Sequence, residues 1–336
     1  MNPPKPARRP FHSVLFLGLA VLTVAVVATA ALGWTLGRLY EQPGPHREAR
    51  TVLIPPGAGP TRIAQILVDA GVLQRPWLFQ AAGRLSGSAK RLKAGEYLIP
   101  AALNMHGLLD LLVEGRTLQR RLTLPEGATA VEAWRMLAAT EGLEGALLTR
   151  PAEGTLLPET YFFSYGDRRM AVIERMQEAM RETVARVWQD RAEGLPLRSP
   201  EEMVVLASIV EKETSVEEER PRVAAVFLNR LRRGMRLQAD PTVVYALTGG
   251  DPTLARPLTR ADLGMASRYN TYVSDGLPPG PIANPGRMSL LAVARPMQSD
   301  ELYFVANGQG GHAFARTLEE HQRNVARWRA TSGRVD

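Results

Sequence analysis

Residues 14–36 read VLFLGLAVLTVAVVATAALGWTL, 23 residues without a charge. At about 1.5 Å of rise per helical residue such a run crosses a hydrocarbon layer about 30 Å thick. The pattern therefore predicts a short tail over 1–13, a transmembrane helix over 14–36 and a linker in the polar, Pro-containing stretch 37–50. Beyond it the apolar runs shorten. Val52-Leu53-Ile54-Pro55-Pro56-Gly57-Ala58 and Leu122-Thr123-Leu124-Pro125-Glu126-Gly127-Ala128 resemble each other at an offset of 70. Each is a short alternating strand ending in P-x-G-A. Each leads into helical spacing, with Ile63, Ile66 and Leu67 in the first and Val131, Trp134 and Leu137 in the second. Between them, residues 93–99 read as a strand and 105–113 as a short helix.

The period then becomes that of helices. Ile173, Met176, Met180, Val184 and Val187 follow i, i+3, i+7, i+11 and i+14. Ser199-Pro200-Glu201-Glu202 is a capping box with Pro at the first helical position, opening a helix that runs through MVVLASIVEKET. A second box, Ser215-Val216-Glu217-Glu218, is expected to open the helix that carries Val223, Val226, Phe227 and Leu231 and ends at Arg232-Arg233-Gly234. The predicted fold is α+β. It comprises the transmembrane helix, a small α+β domain over 51–117, and a mainly helical domain with short strands over 118–330, whose first part, 118–145, repeats the pattern of the small domain.

Composition narrows the picture. With 336 residues, 45% hydrophobic, 22% charged and no Cys, the chain is neither collagen-like, coiled-coil nor wholly disordered, and it holds no disulfide or Cys-built zinc site. The formal charge of +7 is unevenly placed: Lys5, Arg8, Arg9 and Arg38 give residues 1–40 a charge of +4, leaving +3 for the other 296. Lys5, Arg8 and Arg9 precede the apolar run, so the positive-inside rule puts the tail in the cytoplasm and everything after Tyr40 outside, with Trp34 and Tyr40 suited to the outer interface. The competing reading is a cleaved signal peptide, since Ala28-Thr29-Ala30 has a small-x-small form; the apolar run continues past it through Leu36. No contiguous Lys/Arg run lies beside aromatic stacking residues in the outer part, so nucleic acid is not the expected partner.

One residue stands out chemically. Glu213 follows Leu206, Ile209 and Val210 by seven, four and three residues and so shares their apolar helix face, whereas Glu211, rotated by about 200°, is expected to face solvent. A carboxylate on a buried face near a helix C-terminus meets desolvation and the negative end of the dipole, and both raise its pKa. That suits a general acid. The alternative is an ion pair with Lys212, Arg230 or Arg232. Gln238 and Asp240 are candidates for binding sugar hydroxyls or an N-acetyl group, although for Asp240 the pattern favours the N-cap of a helix over 241–247. Tyr269, Asn270 and Tyr272 combine aromatic faces with an amide. The segment GLPPGPIANPG at 276–286 is either a cleft wall or a rigid connector. Gly308-Gln309-Gly310-Gly311 reads as a tight turn, and His312 either approaches the cleft or makes a structural hydrogen bond. The five His residues form no metal-binding motif, so neither metal nor cofactor is expected.

The segment Ile209-Val210-Glu211-Lys212-Glu213-Thr214 resembles the I-x-x-x-E-[ST] helix end of lytic transglycosylases. ASIVEKET at 207–214, VFLNRLRRGMRLQADPTVVYAL at 226–247, LTRADL at 258–263, YNTYVSDGLPPGPIANPG at 269–286 and LYFVANGQGGHAFARTLEEH at 302–321 together resemble the YceG-like family of endolytic murein transglycosylases. The resemblance implies Glu213 as sole catalytic residue, with Thr214 in the place of the more common Ser. Thr214 and Tyr245 join Gln238, Asp240, Tyr269, Asn270 and Tyr272 as candidate substrate contacts. It implies peptidoglycan glycan strands as substrate, cut to 1,6-anhydroMurNAc ends so that elongation stops, peptidoglycan synthases as candidate partners, and a single-pass inner-membrane location with a periplasmic catalytic part. The strand–helix–helix–strand pattern of 51–117 looks like a LysM glycan-binding module, and equally like a small domain without a ligand. A hydrolytic muramidase using Asp240 or Glu211, and a non-enzymatic glycan-binding scaffold, are the competing functions.

Overall fold

The structure is a computed structural model that describes residues 11–252, 254 and 256–332. The basic residues Lys5, Arg8 and Arg9, on which the predicted orientation rests, lie outside the described residues. The chain is mixed helix and strand, mostly helical, and divides into two units, one ending at Leu118 and the other beginning at Gln119.

In the first unit, helix α1 (Phe11–Glu41) exposes its apolar side chains from Leu19 to Trp34, and its stretch Leu19–Glu41 is long and apolar enough to cross a membrane. Its Thr23, Thr29 and Thr35 hydroxyls donate to carbonyls one turn back at 2.7–2.9 Å, so none is left unpaired in an apolar medium. The helix runs on into the stretch expected to be a linker. The rest of that stretch is tied down, Gly44 N–H donating to Ala102 O at 3.1 Å and Ala102 N–H to His46 O at 2.8 Å. Strands β1 (Arg50–Ile54) and β2 (Gly95–Ile99) pair antiparallel from Arg50↔Ile99 to Ile54↔Gly95. Alternation puts Val52, Ile54, Tyr97 and Ile99 inside and Leu53 and Leu98 outside. Between the strands come α2 (Pro60–Asp69) and α3 (Pro76–Leu85), and after them α4 (Met105–Glu114), capped by the Asn104 side chain. Ile63, Leu67, Phe79, Leu108 and Leu112 complete one core.

The second unit opens with β3 (Arg120–Thr123), α5 (Ala130–Ala139) and β4 (Thr160–Phe163), the two strands pairing antiparallel. Thr129 and Glu132 form a reciprocal capping box on α5. The long helix α6 (Arg169–Gln189) buries Ile173, Met176, Met180 and Val187, the stripe its period predicts. Helix α7 (Pro200–Glu213) is capped by Ser199, and every residue from Met203 to Val210 is buried. It packs against α6, α8 (Arg220–Arg232), α9 (Asp240–Thr248) and α11 (Arg287–Ala294), the short α10 (Arg260–Leu263) lying between the last two in sequence. The box predicted at Ser215 is absent: a 3-10 turn occupies Glu217–Glu219 and α8 begins at Arg220 with Pro in its first turn. Strands β5 (Tyr303–Ala306) and β6 (His312–Ala315) form a hairpin, followed by α12 (Leu318–Ser332). The predicted tight turn joins them, with Asn307 Oδ1 accepting from the N–H groups of Gln309 and Gly311.

Candidate active site

Glu213 is the last residue of α7, where the helix emerges from the core of the second unit. It is half-buried and, among the described residues, makes no ion pair or hydrogen bond. Burial, and next the negative charge of Asp240, push its carboxyl up to about 8, with Arg230 pulling the other way. Each of the three cations that the ion-pair alternative required is engaged elsewhere. Lys212 Nζ donates to Gly127 O at 3.3 Å. Arg232 Nη1 donates to Asn229 Oδ1 at 2.9 Å. Buried Arg230 donates through Nε to Leu302 O at 2.7 Å and through Nη1 to Leu237 O at 2.6 Å. At neutral pH the arrangement holds a protonated carboxyl at an accessible helix end.

Glu211 does the opposite of what its helical position predicts. Its side chain is only 4% exposed; Oε1 accepts from Arg220 Nη2 at 3.1 Å and Oε2 from Gly286 N–H at 2.8 Å. The helix is enclosed over Met203–Val210, and at its end Arg220 and the Gly286 N–H cover the side on which Glu211 lies. Two carboxylates two residues apart are thus placed differently, Glu211 in an ion pair with Arg220 and Glu213 without one among the described residues.

Asp240 is exposed at the start of α9, whose N-cap is Ala239, and its side chain makes no cap bond. It does not serve as the helix cap; it accepts instead from Tyr272 Oη at 2.5 Å. Burial, and next this hydrogen bond, raise the Tyr272 phenol above its ordinary value. Gln238, exposed beside Asp240, holds a left-handed backbone with φ of 50°, a conformation that costs a non-glycine residue roughly 1–2 kcal/mol. Its N–H donates to Thr271 O at 3.1 Å and Ala239 N–H to Thr271 Oγ1 at 2.9 Å, which hold that turn in place.

A groove of about 260 Å³ runs beside these residues, lined by Asp240, Val244, Tyr245, Thr248, Lys212 and Ile282 among others. Glu213 is not one of its lining residues; its chain neighbour Lys212 and its electrostatic partner Asp240 are. The rings of Tyr245 and Tyr269 meet in a tilted arrangement, with centroids 4.9 Å apart and planes at 46°. Tyr245 Oη donates to Glu153 Oε2 at 3.4 Å, and burial, then Glu153, raise its phenol to about 12. Thr214 and Asn270, read as substrate contacts, are spent inside. Thr214 is buried and its hydroxyl accepts from Val216 N–H at 3.1 Å. Asn270 is fully buried, donating to Leu263 O at 3.0 Å and Met265 O at 2.8 Å and accepting from Tyr272 N–H at 3.0 Å.

The Pro/Gly segment lines the groove through Ile282, whose N–H donates to Ser208 Oγ on α7 at 3.0 Å. A Cβ at Gly286 would lie 2.0 Å from Glu126 Oε1, so a larger residue there would displace the Glu126 side chain. His312 makes the structural bond, its Nδ1 lying 2.7 Å from Glu219 Oε2. Among the described residues no three His, Cys, Asp or Glu side chains gather where they could hold a metal ion.

Sequence reasoning missed two groups. Arg220 shares a helix face with Val223 and Phe227, a spacing that marks a buried cation in want of a carboxylate. Glu153, whose carboxyl is raised by burial and whose Oε1 accepts from Ala130 N–H at 2.8 Å, sits in an irregular segment that carries no periodic signal.

Because Asp240 raises the Glu213 carboxyl, Asp240→Asn is expected to lower it. Activity that requires the protonated acid then loses its alkaline limb at lower pH than in the parent, read as the kcat–pH profile; an unmoved limb would mean that the two carboxyls are not coupled.

A raised carboxyl without a paired cation, near a second carboxylate and a groove, is the kind of group that general acid chemistry uses. Residues 52–327 match the YceG-like family, and the chain belongs to that family. A protein named endolytic murein transglycosylase from Bacillus subtilis (strain 168) is 29% identical over 302 residues, covering 80% of this chain and 82% of its own length. One of the same name from Streptococcus pneumoniae serotype 2 is 28% identical over 322 residues, covering 82% of this chain; the chain spans 58% of that relative's length. A crystal structure of a YceG-like protein from Listeria monocytogenes is 33% identical, with a TM-score of 0.54 over 82% of this chain and 98% of the other.

Proposed function

We propose that this chain is a membrane-anchored endolytic lytic transglycosylase that cuts the MurNAc–GlcNAc bond of nascent peptidoglycan strands and so ends their elongation. The observation that carries the reading is the unpaired Glu213 carboxyl, raised to about 8 beside a groove. The names of the Bacillus and Streptococcus relatives support the substrate class. Glu213 protonates the bridging oxygen while the substrate's own N-acetyl group assists at C1, and the bond to the leaving sugar breaks. The Glu213 carboxylate so formed then takes the proton of the MurNAc 6-hydroxyl, whose oxygen closes the 1,6-anhydro ring. One residue acts as acid and then base, no water is consumed, and no second carboxylate is required.

In this reading α1 anchors the protein in the inner membrane with its N-terminus in the cytoplasm, the first unit supplies LysM-like glycan binding, and synthases are the neighbours that deliver the strand. A hydrolytic alternative has one observation in its favour. Asp240 lies close enough to Glu213 to shift its proton affinity, and two-carboxylate glycosidases use such a partner. Mass spectrometry of the products from intact glycan strands separates the two, since anhydro ends are one water lighter than reducing ends. Anhydro ends are expected. Reducing ends would make the protein a muramidase, and binding without release would make it a scaffold.

A further inference from the structure

The last turn of α1 is built into the core of the first unit. Leu36, Leu39 and Tyr40 pack against that core. Tyr40 Oη lies 3.2 Å from His106 Nδ1 on α4, Asn104 Nδ2 donates to Glu41 Oε2 at 3.0 Å, and Arg75 Nη1 reaches Gln42 Oε1 at 3.5 Å. The N-terminal ends of α3 and α4 are therefore held at the level of residues 40–42.

That level can be placed relative to a bilayer. The uncharged run ends at Leu36. At about 1.5 Å per residue, residues 40–42 stand about 6–9 Å beyond it, and the polar layer on each side of the hydrocarbon is about 5–8 Å deep. A tilt of α1 brings them closer still. At this height α3 presents Arg75, exposed, and Trp77, 53% exposed although it is among the largest apolar side chains of the unit. Tryptophan favours the headgroup boundary, and arginine beside it meets lipid phosphate.

We propose that the first turn of α3 is a second membrane contact, with Arg75 and Trp77 seated in the phospholipid headgroup layer from which α1 emerges. The partner is the lipid surface, selected by the covalent continuity of α1 with the unit that carries the turn. The proposal rests on α1 crossing the membrane and is independent of the chemistry assigned to Glu213.

The chain has no cysteine, so the full-length protein can carry one fluorophore at a chosen site in nanodiscs of phosphatidylethanolamine and phosphatidylglycerol. With the label at Gln74→Cys, which leaves Trp77 in place, lipid bearing a headgroup nitroxide is expected to quench more than half of the emission. A label at Trp77→Cys, where the apolar fluorophore takes the place of the indole, is expected to be quenched by the same lipid. Arg75→Glu in the Gln74→Cys background is expected to reduce the quenching at least twofold. Val27→Cys, in the middle of α1, serves as the depth control and is expected to be quenched by chain-nitroxide lipid. Quenching at 27 without quenching at 74 and 77 overturns the contact and leaves the span; quenching at none of them removes the span and the contact together. Quenching at 74 and 77 that changes when discs hold two copies instead of one would make the turn a contact between copies, which also overturns the proposal.

Discussion

Glu213→Gln is expected to fold normally, to bind glycan strands and to lose turnover by about 10²–10⁴-fold, the usual contribution of a positioned acid–base group. The substitution keeps the shape of a half-buried side chain and removes the proton that the reaction needs. Its pH consequences have definite signs. The protonated form is present below about pH 8 and is lost as pH rises through that value, so an activity that uses it as acid is expected to show an alkaline limb there. Stability follows the same titration. The folded-state carboxyl binds its proton more tightly than the unfolded one, so the parent holds more protons folded than unfolded between about pH 4.5 and 8. Its stability is therefore full below the unfolded pKa and falls as pH rises through the folded one. Each pKa unit is worth about 1.4 kcal/mol, and with allowance for the solvent reaching a half-buried group the loss is on the order of 2–3 kcal/mol. Glu213→Gln removes that slope and is expected to be the more stable protein at pH 8.5. A variant that still released anhydro-muropeptides would refute the assignment of the acid, and an unchanged stability slope would show that Glu213 is solvated like an ordinary surface carboxylate.

The half-buried position of the Glu213 carboxyl was legible because it depends on local periodicity. Three apolar residues at helical spacing and a terminal Glu need no tertiary knowledge, and the same holds for the stripe of α6 and the turn after Asn307. Glu211 was misplaced for a physical reason. The two-faced helix argument assumes a solvent side, and the run MVVLASIV from 203 to 210, apolar at every position but one, signals a helix enclosed by neighbours. Once α7 is enclosed, the surroundings of each carboxylate come from residues distant in sequence: Arg220 pairs with Glu211, while burial and next Asp240 raise Glu213. Asn270 shows the same limit. An amide flanked by tyrosines reads as a sugar contact, yet it is fully buried and holds the carbonyls of the preceding turn, a role fixed by the loop's path.

Arg220→Ala is expected to destabilise the protein by about 3–5 kcal/mol, the range for removing one partner of a buried pair and stranding the other's charge. The Arg220 side chain is only 9% exposed; a single nitrogen, Nη2, donates to Glu211 Oε1 at 3.1 Å and to Glu126 Oε2 at 3.0 Å. Those bonds tie the start of α8 to the end of α7 and to the turn after β3, while Gly286 N–H holds the other oxygen of Glu211. Without the guanidinium, the buried Glu211 carboxylate loses its ion-pair partner and faces the half-exposed Glu126 across the vacated place. The cost should fall if the stranded charge is removed as well. Glu211→Gln in the Arg220→Ala background keeps an acceptor for Gly286 and is expected to recover part of the loss, so denaturant midpoints of the two single variants and the double variant should be clearly non-additive. Additive midpoints, or a loss below about 1 kcal/mol for Arg220→Ala, would mean that water reaches the pair and that it contributes no more than an exposed one. Activity supplies a second readout. Glu213 is two residues beyond Glu211 on the same helix end, so Arg220→Ala is expected to reduce kcat even below its unfolding temperature, by loosening the backbone that aims the acid.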